Sequence, residues 1–477
     1  MEPVFPIPID LPTRGQGSIT QSLQRQLRAA MLDGRLLAGT PLPSSRRVAE
    51  ALNIARNTVI RAYDLLIAEG YLLPRPGAKP VVANLHPLRS KRPISVDRRL
   101  AEKVIWQPPD GLHGAPLTLP ERSFRTGMPE HRLFPFDVWR RLSVRVLRDW
   151  SKRPFAYPST LGVLPLREAI AQHVAVSRAV ACSGNDVVVT HGMQNAVDLL
   201  ARILVTPGKT RVAIEHPGYP YFRAVMQAAG ARILPIPVDA EGLCVDQLPP
   251  RVDLIYVTPS HQSPTGVAMP LTRRLQLLDY AKRHNSVILE DDYDGEFRFD
   301  GRPLEALRTL DQDGCVFYLG TFTKTLFPSI RTAFVLAPSW AHQALHSAKR
   351  TLDPHACDLT QLTLAAFIQQ GHMAAHVRRM THVYRNRQSA LLAGLESLRQ
   401  WLVPWPAQAG LHVAARFTKP SLEKRFAAMM DQYLPGAQLI RDASLATDVT
   451  PGVVIGYGAI DQRDIEQSLR RFGQVLS

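Results

Sequence analysis

Residues 320–334, "GTFTKTLFPSIRTAF", hold Lys324 between two threonines and Arg331 seven positions later. A lysine amine beside an aldehyde forms a Schiff base, and the planar fork of an arginine grips a phosphate. Upstream, "SVILEDDYDGEF" sets Asp291 and Tyr293 directly behind an apolar run. A carboxylate beside a pyridine nitrogen keeps it protonated, so that the ring draws electrons. In "DVVVTHGMQNAVDLL" the backbone N–H groups of Gly192, Met193 and Gln194 open a helix, and free N–H groups at a helix start cradle phosphate. Each of these residues is weak alone. Together, and in this order, they meet the needs of one cofactor, pyridoxal 5′-phosphate (PLP).

Such residues need a scaffold that gathers distant segments. From Ser123 onward, β-prone runs ("DVVVT", "RVAIEH", "VDLIYV", "SVILED", "GCVFYLG") alternate with helical patterns. This alternation predicts an α/β fold with a mainly parallel, doubly wound sheet. Ligands of such sheets sit at the carboxyl ends of the strands, where the loops carrying Gly192, Asp291 and Lys324 fall.

The first eighty residues read differently. Ile19, Leu23, Leu27 and Met31 recur at four-residue spacing, and Gly34 supplies a stop. "LPSSRRVAEALNIARNTVIRAYDLLIAEGYL" then predicts a short helix opening at Ser44 or Ser45, a turn at "NIA", and a longer helix burying Val59, Ala62, Tyr63 and Leu66. Its remaining face carries Arg56, Asn57, Thr58 and Arg61, side chains able to donate to base edges or phosphates. Residues 71–82 follow as a short β-prone ribbon suited to a wing. Residues 83–121, rich in Pro and Arg, read as an interdomain linker, giving units at 12–82 and 122–477.

Bulk properties agree. A chain of 477 residues with 45% apolar and 21% charged residues has ample core for two or three domains. No run reaches the length of a membrane helix, and the start "MEPVFPIPIDLPTRGQ" lacks a signal-peptide pattern, so a cytoplasmic protein is expected. Cys182, Cys244, Cys315 and Cys357 form no CxxC, which argues against a disulfide framework and a zinc site; no metal is expected. The net charge of +16 suits a polyanionic partner but identifies none.

Residues 42–82 resemble the winged helix-turn-helix of GntR-type repressors. The resemblance implies DNA contacts from Arg46, Arg56, Asn57 and Thr58, with a wing contact near Gly77. Ala55 departs from the pattern, which has a capping Ser there. From residue 122 the chain resembles the fold type I aminotransferases, with a smaller C-terminal α+β subdomain. That likeness implies Lys324 as the Schiff-base lysine, Arg331 and Thr321 on the phosphate, Asp291 on the pyridine nitrogen, Tyr293 on the ring hydroxyl and Tyr219 stacked on the ring. Tyr157 resembles the tyrosine that reaches a neighbouring subunit's phosphate, which implies a homodimer. The combination, with "SHQSPTG", "EDDYDGEF" and "GHMAAHVRRMTHVYRNR", is similar to the MocR subfamily of GntR regulators.

Two functions follow from the resemblance: a regulator that senses PLP, an amine or an amino acid and binds an operator, or an active aminotransferase with a DNA-binding appendage. A transaminase clamps the substrate carboxylate with an arginine and an asparagine. The matching positions are Val454 and Ser263, so both clamps are expected to be missing. Regulator is the favoured reading, with no catalytic residue assigned; Arg416 is the first place to seek a substitute clamp.

Overall fold

The computed structural model describes residues 4–12, 17–75, 78–84, 123–152, 156–299, 305–444 and 449–476. Gly77 and nearly all of residues 83–121 lie outside them. The described residues fall into two bodies, one up to residue 84 and one from 123 on.

In the first body, α3 (Arg56–Ala68) packs against both α1 (Ile19–Leu32) and α2 (Ser45–Leu52), and β1 (Leu72–Leu73) pairs antiparallel with β2 (Val81–Val82). Ser18 and Ser44 cap α1 and α2 with their hydroxyls, while Asn53 ends α2 in the left-handed conformation that lets the chain turn sharply. Leu23, Leu27, Met31, Val48, Val59, Ala62 and Leu66 close one core. This core also takes in Phe5 and Ile7, so the body begins before residue 12. The Pro-interrupted "VFPIPID" has no period that would reveal its packing.

The second body runs α4 (Phe136–Trp150), α5 (Leu164–Arg178), β3 (Val187–Thr190), α6 (Met193–Leu204), β4 (Arg211–His216), α7 (Pro220–Ala228), β5 (Arg232–Asp239), β6 (Gly242–Leu243) and β7 (Leu254–Val257). It continues through α8 (Leu271–His284), β8 (Val287–Asp292), α9 (Leu307–Leu310), β9 (Val316–Thr321), β10 (Ala333–Leu336), α10 (His342–Leu352), α11 (Asp358–Gln369) and α12 (His372–Ser397). The sheet order is β3-β10-β9-β8-β7-β4-β5-β6. All pairings among β9, β8, β7, β4 and β5 are parallel, and β10 runs antiparallel to both of its neighbours. Strands covered on both faces need continuous apolar runs, and β3, β7 and β9 are buried at every position.

The C-terminal subdomain carries β11 (Leu402–Pro404), β12 (His412–Phe417), α13 (Leu422–Tyr433), β13 (Gln438–Leu439), β14 (Gly452–Gly456) and α14 (Gln462–Leu476). Its four strands, ordered β11-β12-β14-β13, are all antiparallel. Val413, Ala415, Val453 and Ile455 point into the core with Leu391, Leu469 and Phe472, while Ala414 and Val454 face the other way. Among the described residues no helix is long and apolar enough to cross a membrane.

Candidate functional site

The carboxyl ends of β4, β7, β8 and β9 open on a cavity of about 790 Å³. The loop after β9 brings Lys324 into its wall, beside Asp291, Tyr293, Tyr219 and Met193.

Strand alternation sorts the three acids of "EDD". Glu290 and Asp292 turn to one side: Glu290 accepts the N–H groups of Leu307 and Arg308, and Asp292 meets Arg178 at 2.6 Å and the Tyr318 hydroxyl at 2.6 Å. Asp291 alone faces the cavity. Its Oδ2 accepts from the Tyr256 hydroxyl at 2.6 Å, and its Oδ1 is buried without a hydrogen-bond partner. Burial pushes this carboxyl up to about 7 against the donation from Tyr256. A buried carboxylate oxygen in want of a donor is what a protonated pyridine nitrogen satisfies.

Lys324 donates from Nζ to the carbonyl oxygen of Gly127 at 2.8 Å. Burial lowers the pKa of its amine, opposed by the carboxylates of Asp294 and Asp291. This favours the neutral amine that attacks an aldehyde.

A second part of the site is assembled around Gly192, which caps α6 at φ +83°, a conformation suited to glycine. The Arg331 guanidinium lies over it: a Cβ on Gly192 would sit 3.3 Å from Arg331 Cζ. Arg331 also donates to the His191 carbonyl at 3.1 Å. The α6 start, with Met193 and Gln194 in its first turn, and this guanidinium thus form one anion cradle. The residues fit PLP: they offer an acid for its ring nitrogen, an amine for its aldehyde and a cradle for its phosphate.

Other expected residues are placed less directly. The Thr321 hydroxyl is buried at the end of β9, accepting from the Thr323 N–H at 3.2 Å and 3.5 Å from the Thr332 carbonyl. Tyr219 sits on the cavity at the start of α7, its phenol pKa raised by burial. Tyr157 is 90% exposed, its ring 5.3 Å from His355. Ser263 lines the cavity, as does Val454, whose side chain joins Ala414 and Ile440 in a small apolar cluster. Arg416 does not serve as the substitute clamp: it is exposed on β12 and absent from the cavity lining.

Four groups in or behind the cavity wall escaped the sequence reading. Arg125 lines the cavity close enough to depress the Lys324 amine. Tyr256 holds Asp291. His412, on β12, is kept neutral by burial and lies 3.0 Å from the Pro264 carbonyl through Nε2. His261, with Asp294, backs Tyr293. Arg125 sits in "SFRTGMP", where Gly before a Met-Pro pair was the available signal of a close approach; Tyr256 and His412 lie inside apolar strand runs that give none.

On the first body, Arg56, Asn57 and Arg61 are exposed and Thr58 is partly exposed, all on the amino-terminal half of α3. Arg56 donates from Nε to Ser45 Oγ at 3.3 Å, linking the two helices of the motif. Arg46 forms an exposed ion pair with Glu50 at 3.2 Å, weak enough to exchange for a phosphate. Ala55 gives α3 no side-chain cap, as its residue type requires.

Comparison with known proteins turns this geometry into kinship. The family model "Aminotransferase class I and II" matches residues 131–441, and "Bacterial regulatory proteins, gntR family" matches residues 19–80. The probable rhizopine catabolism regulatory protein MocR of Rhizobium meliloti is 38% identical over 94% of this chain and 92% of its own. The chain belongs to the MocR-type GntR regulators. A further member, the pyridoxine biosynthesis regulator PdxR of Corynebacterium glutamicum, is 29% identical over 99% of both chains. The α-aminoadipate aminotransferase LysN of Thermus thermophilus, solved with N-(5′-phosphopyridoxyl)-L-leucine, matches 74% of this MocR-type chain and 91% of its own at 27% identity and a TM-score of 0.66. This chain is therefore a DNA-binding transcriptional regulator with a fold type I, aminotransferase-like PLP domain.

Proposed function

We propose that this regulator carries PLP on Lys324 and responds to an amine lacking an α-carboxylate, without turning amino acids over. The observation that carries the reading is the stretch of apolar wall that Val454 gives the cavity, backed by Ala414 and Ile440, at the position where the resemblance puts a transaminase's carboxylate arginine. A carboxylate moved from water to such a wall loses its solvation and gains no partner. When bound, PLP supplies an electrophilic carbon and an electron-withdrawing ring. The chain's own residues then hold it: Asp291 at the ring nitrogen, Tyr293 at the ring oxygen, Tyr219 against the ring face, Thr321, Arg331 and the α6 start at the phosphate.

An incoming amine competes with the Lys324 amine for the same carbon. Its differential affinity for two arrangements of the effector domain shifts which of them predominates, and so sets operator occupancy by Arg46, Arg56, Asn57, Thr58 and Arg61. Tyr157, held out in solvent, supports a homodimer in which it meets the neighbour's phosphate. The setting is the cytoplasm, where the operator lies.

Arg125 favours a second reading, in which it pairs with the carboxylate of an amino-acid effector from its own place on the cavity wall. Titrating PLP-loaded protein with amines and amino acids, while following the visible absorption, separates the two. Carboxylate-free amines alone are expected to displace Lys324. A response to amino acids that Arg125→Ala abolishes would replace the first reading by the second.

A further inference from the structure

Tyr293 does not stand alone at the cavity wall. Its hydroxyl donates to the His261 carbonyl at 2.9 Å and lies 3.1 Å from His261 Nδ1. The same Nδ1 lies 2.9 Å from Asp294 Oδ2, and both side chains of this pair are buried. His261 Nε2 is buried without a partner, against Gly266, where a Cβ would come within 3.2 Å. The hydrogen-bond pattern therefore assigns the ring proton to Nδ1, which shares it between the Asp294 carboxylate and the Tyr293 oxygen.

We propose that Asp294 and His261 are positioning residues for Tyr293, holding its phenol oxygen as an acceptor so that its single proton is aimed at the ring oxygen of PLP. The proton inventory leads there. Tyr293 has one hydrogen to give. With Nδ1–H occupying a lone pair, that hydrogen can rotate from the His261 carbonyl to an oxygen arriving in the cavity without leaving the phenol oxygen unpaired.

His261, Asp294 and His412 are also residue types that hold a divalent cation, and their ligand atoms lie within 4.8 Å of one another. The contacts favour the relay. Nδ1 is already engaged twice, His412 Nε2 faces the Pro264 carbonyl, and the two imidazoles pack with centroids 4.4 Å apart rather than converging on a point.

The charged and titratable groups acting on Tyr293 are Asp291 and Asp294 around the end of β8, Glu215 from β4 and His261 after β7, and Lys324 after β9, His412 on β12 and Arg125 share the cavity wall with it. A proton given to the ring oxygen competes with the proton on the Lys324 linkage for that oxygen. Losing it therefore raises the pH at which the linkage gives up its own proton.

The inference rests on Tyr293 meeting the ring oxygen, and the test separates the two claims. The full-length, PLP-loaded protein is titrated with pH while the visible absorption is followed. Tyr293→Phe is expected to move the midpoint up by about a unit, and Asp294→Asn and His261→Leu by about half a unit or more. The Asp294→Asn, Tyr293→Phe double variant should move no further than Tyr293→Phe alone. His261→Asn, whose amide restores a donor near Nδ1, should recover part of the shift; it also carries the test should His261→Leu not fold. No shift in Tyr293→Phe would remove the ring-oxygen contact and the relay with it. A shift in Tyr293→Phe with none in the other variants would overturn the relay alone. A stoichiometric divalent cation in the purified protein would overturn it in favour of a metal centre.

Discussion

The Lys324 side-chain amine donates to the carbonyl oxygen of Gly127 at 2.8 Å, joining two segments 197 residues apart. Gly127 can offer that carbonyl because it adopts φ +68° and has no side chain; a Cβ there would come within 2.6 Å of Nζ. Gly127→Ala therefore combines backbone strain with a direct collision at the reactive amine. PLP affinity, followed by visible absorption, is expected to fall at least about tenfold, equivalent to about 1.4 kcal/mol. An unchanged affinity would mean that the lysine works from another rotamer.

Asp291 yields a pH prediction whose sign can be worked out. Its carboxyl is raised to about 7 in the folded protein, with burial the first cause, against about 4 when unfolded. Between those values the folded state keeps a proton that the unfolded state has lost, so this group lowers stability as pH rises from about 4 to 7. Glu215, also raised to about 7 by burial, acts in the same direction. A ligand with a protonated pyridine nitrogen relieves the Asp291 charge. 4′-Deoxypyridoxine phosphate, which cannot bond to Lys324, should thus raise Tm more at pH 7.5 than at pH 5.5, by a few degrees. Asp291→Asn should remove most of that difference; a difference that persists in full would assign it to the phosphate.

Part of this site was legible without coordinates because its residues follow apolar runs. Lys324, Asp291, Tyr293 and Gly192 each stand at or just beyond a strand, and parallel sheets gather such ends on one edge. What escaped detection has its position set by tertiary packing. Even for Asp291, strand alternation says only that two of the three acids share a face and not which face meets the cavity; the choice among them came from the resemblance to the aminotransferases. His412 reaches the site from the other subdomain, and Arg125 follows a long segment with no periodic signal. Phe5 and Ile7 join the first core through a Pro-broken stretch that carries neither helical nor strand period.

The DNA-binding face makes its own prediction. Arg56 is exposed at the first position of α3, with Nε held by Ser45 Oγ at 3.3 Å, an arrangement that limits the directions its guanidinium can take. Arg56→Ala is expected to weaken operator binding by about 1–3 kcal/mol and to relax the preference at one base pair. Fluorescence anisotropy on the operator and on singly substituted operators measures both. A uniform loss across sequences would make Arg56 a phosphate contact.

Val454 offers the most direct test of the proposal that the cavity does not turn amino acids over. It is 3% exposed, lines the cavity beside Ser263 and His412, and packs with Ala414 and Ile440. An arginine at this position has room to extend into a cavity of about 790 Å³. There its fork would grip an α-carboxylate with two parallel hydrogen bonds and fix the amine over the reacting carbon. Val454→Arg is therefore expected to raise the rate at which a common amino acid converts bound PLP to its amine form by at least about a hundredfold over the parent protein. Single-turnover absorption measures the conversion, and the PLP spectrum of the variant before addition shows that the site has survived. A variant that binds PLP normally but gains no rate would show that the missing arginine is not what limits turnover, and would direct attention to Ser263 and Arg125.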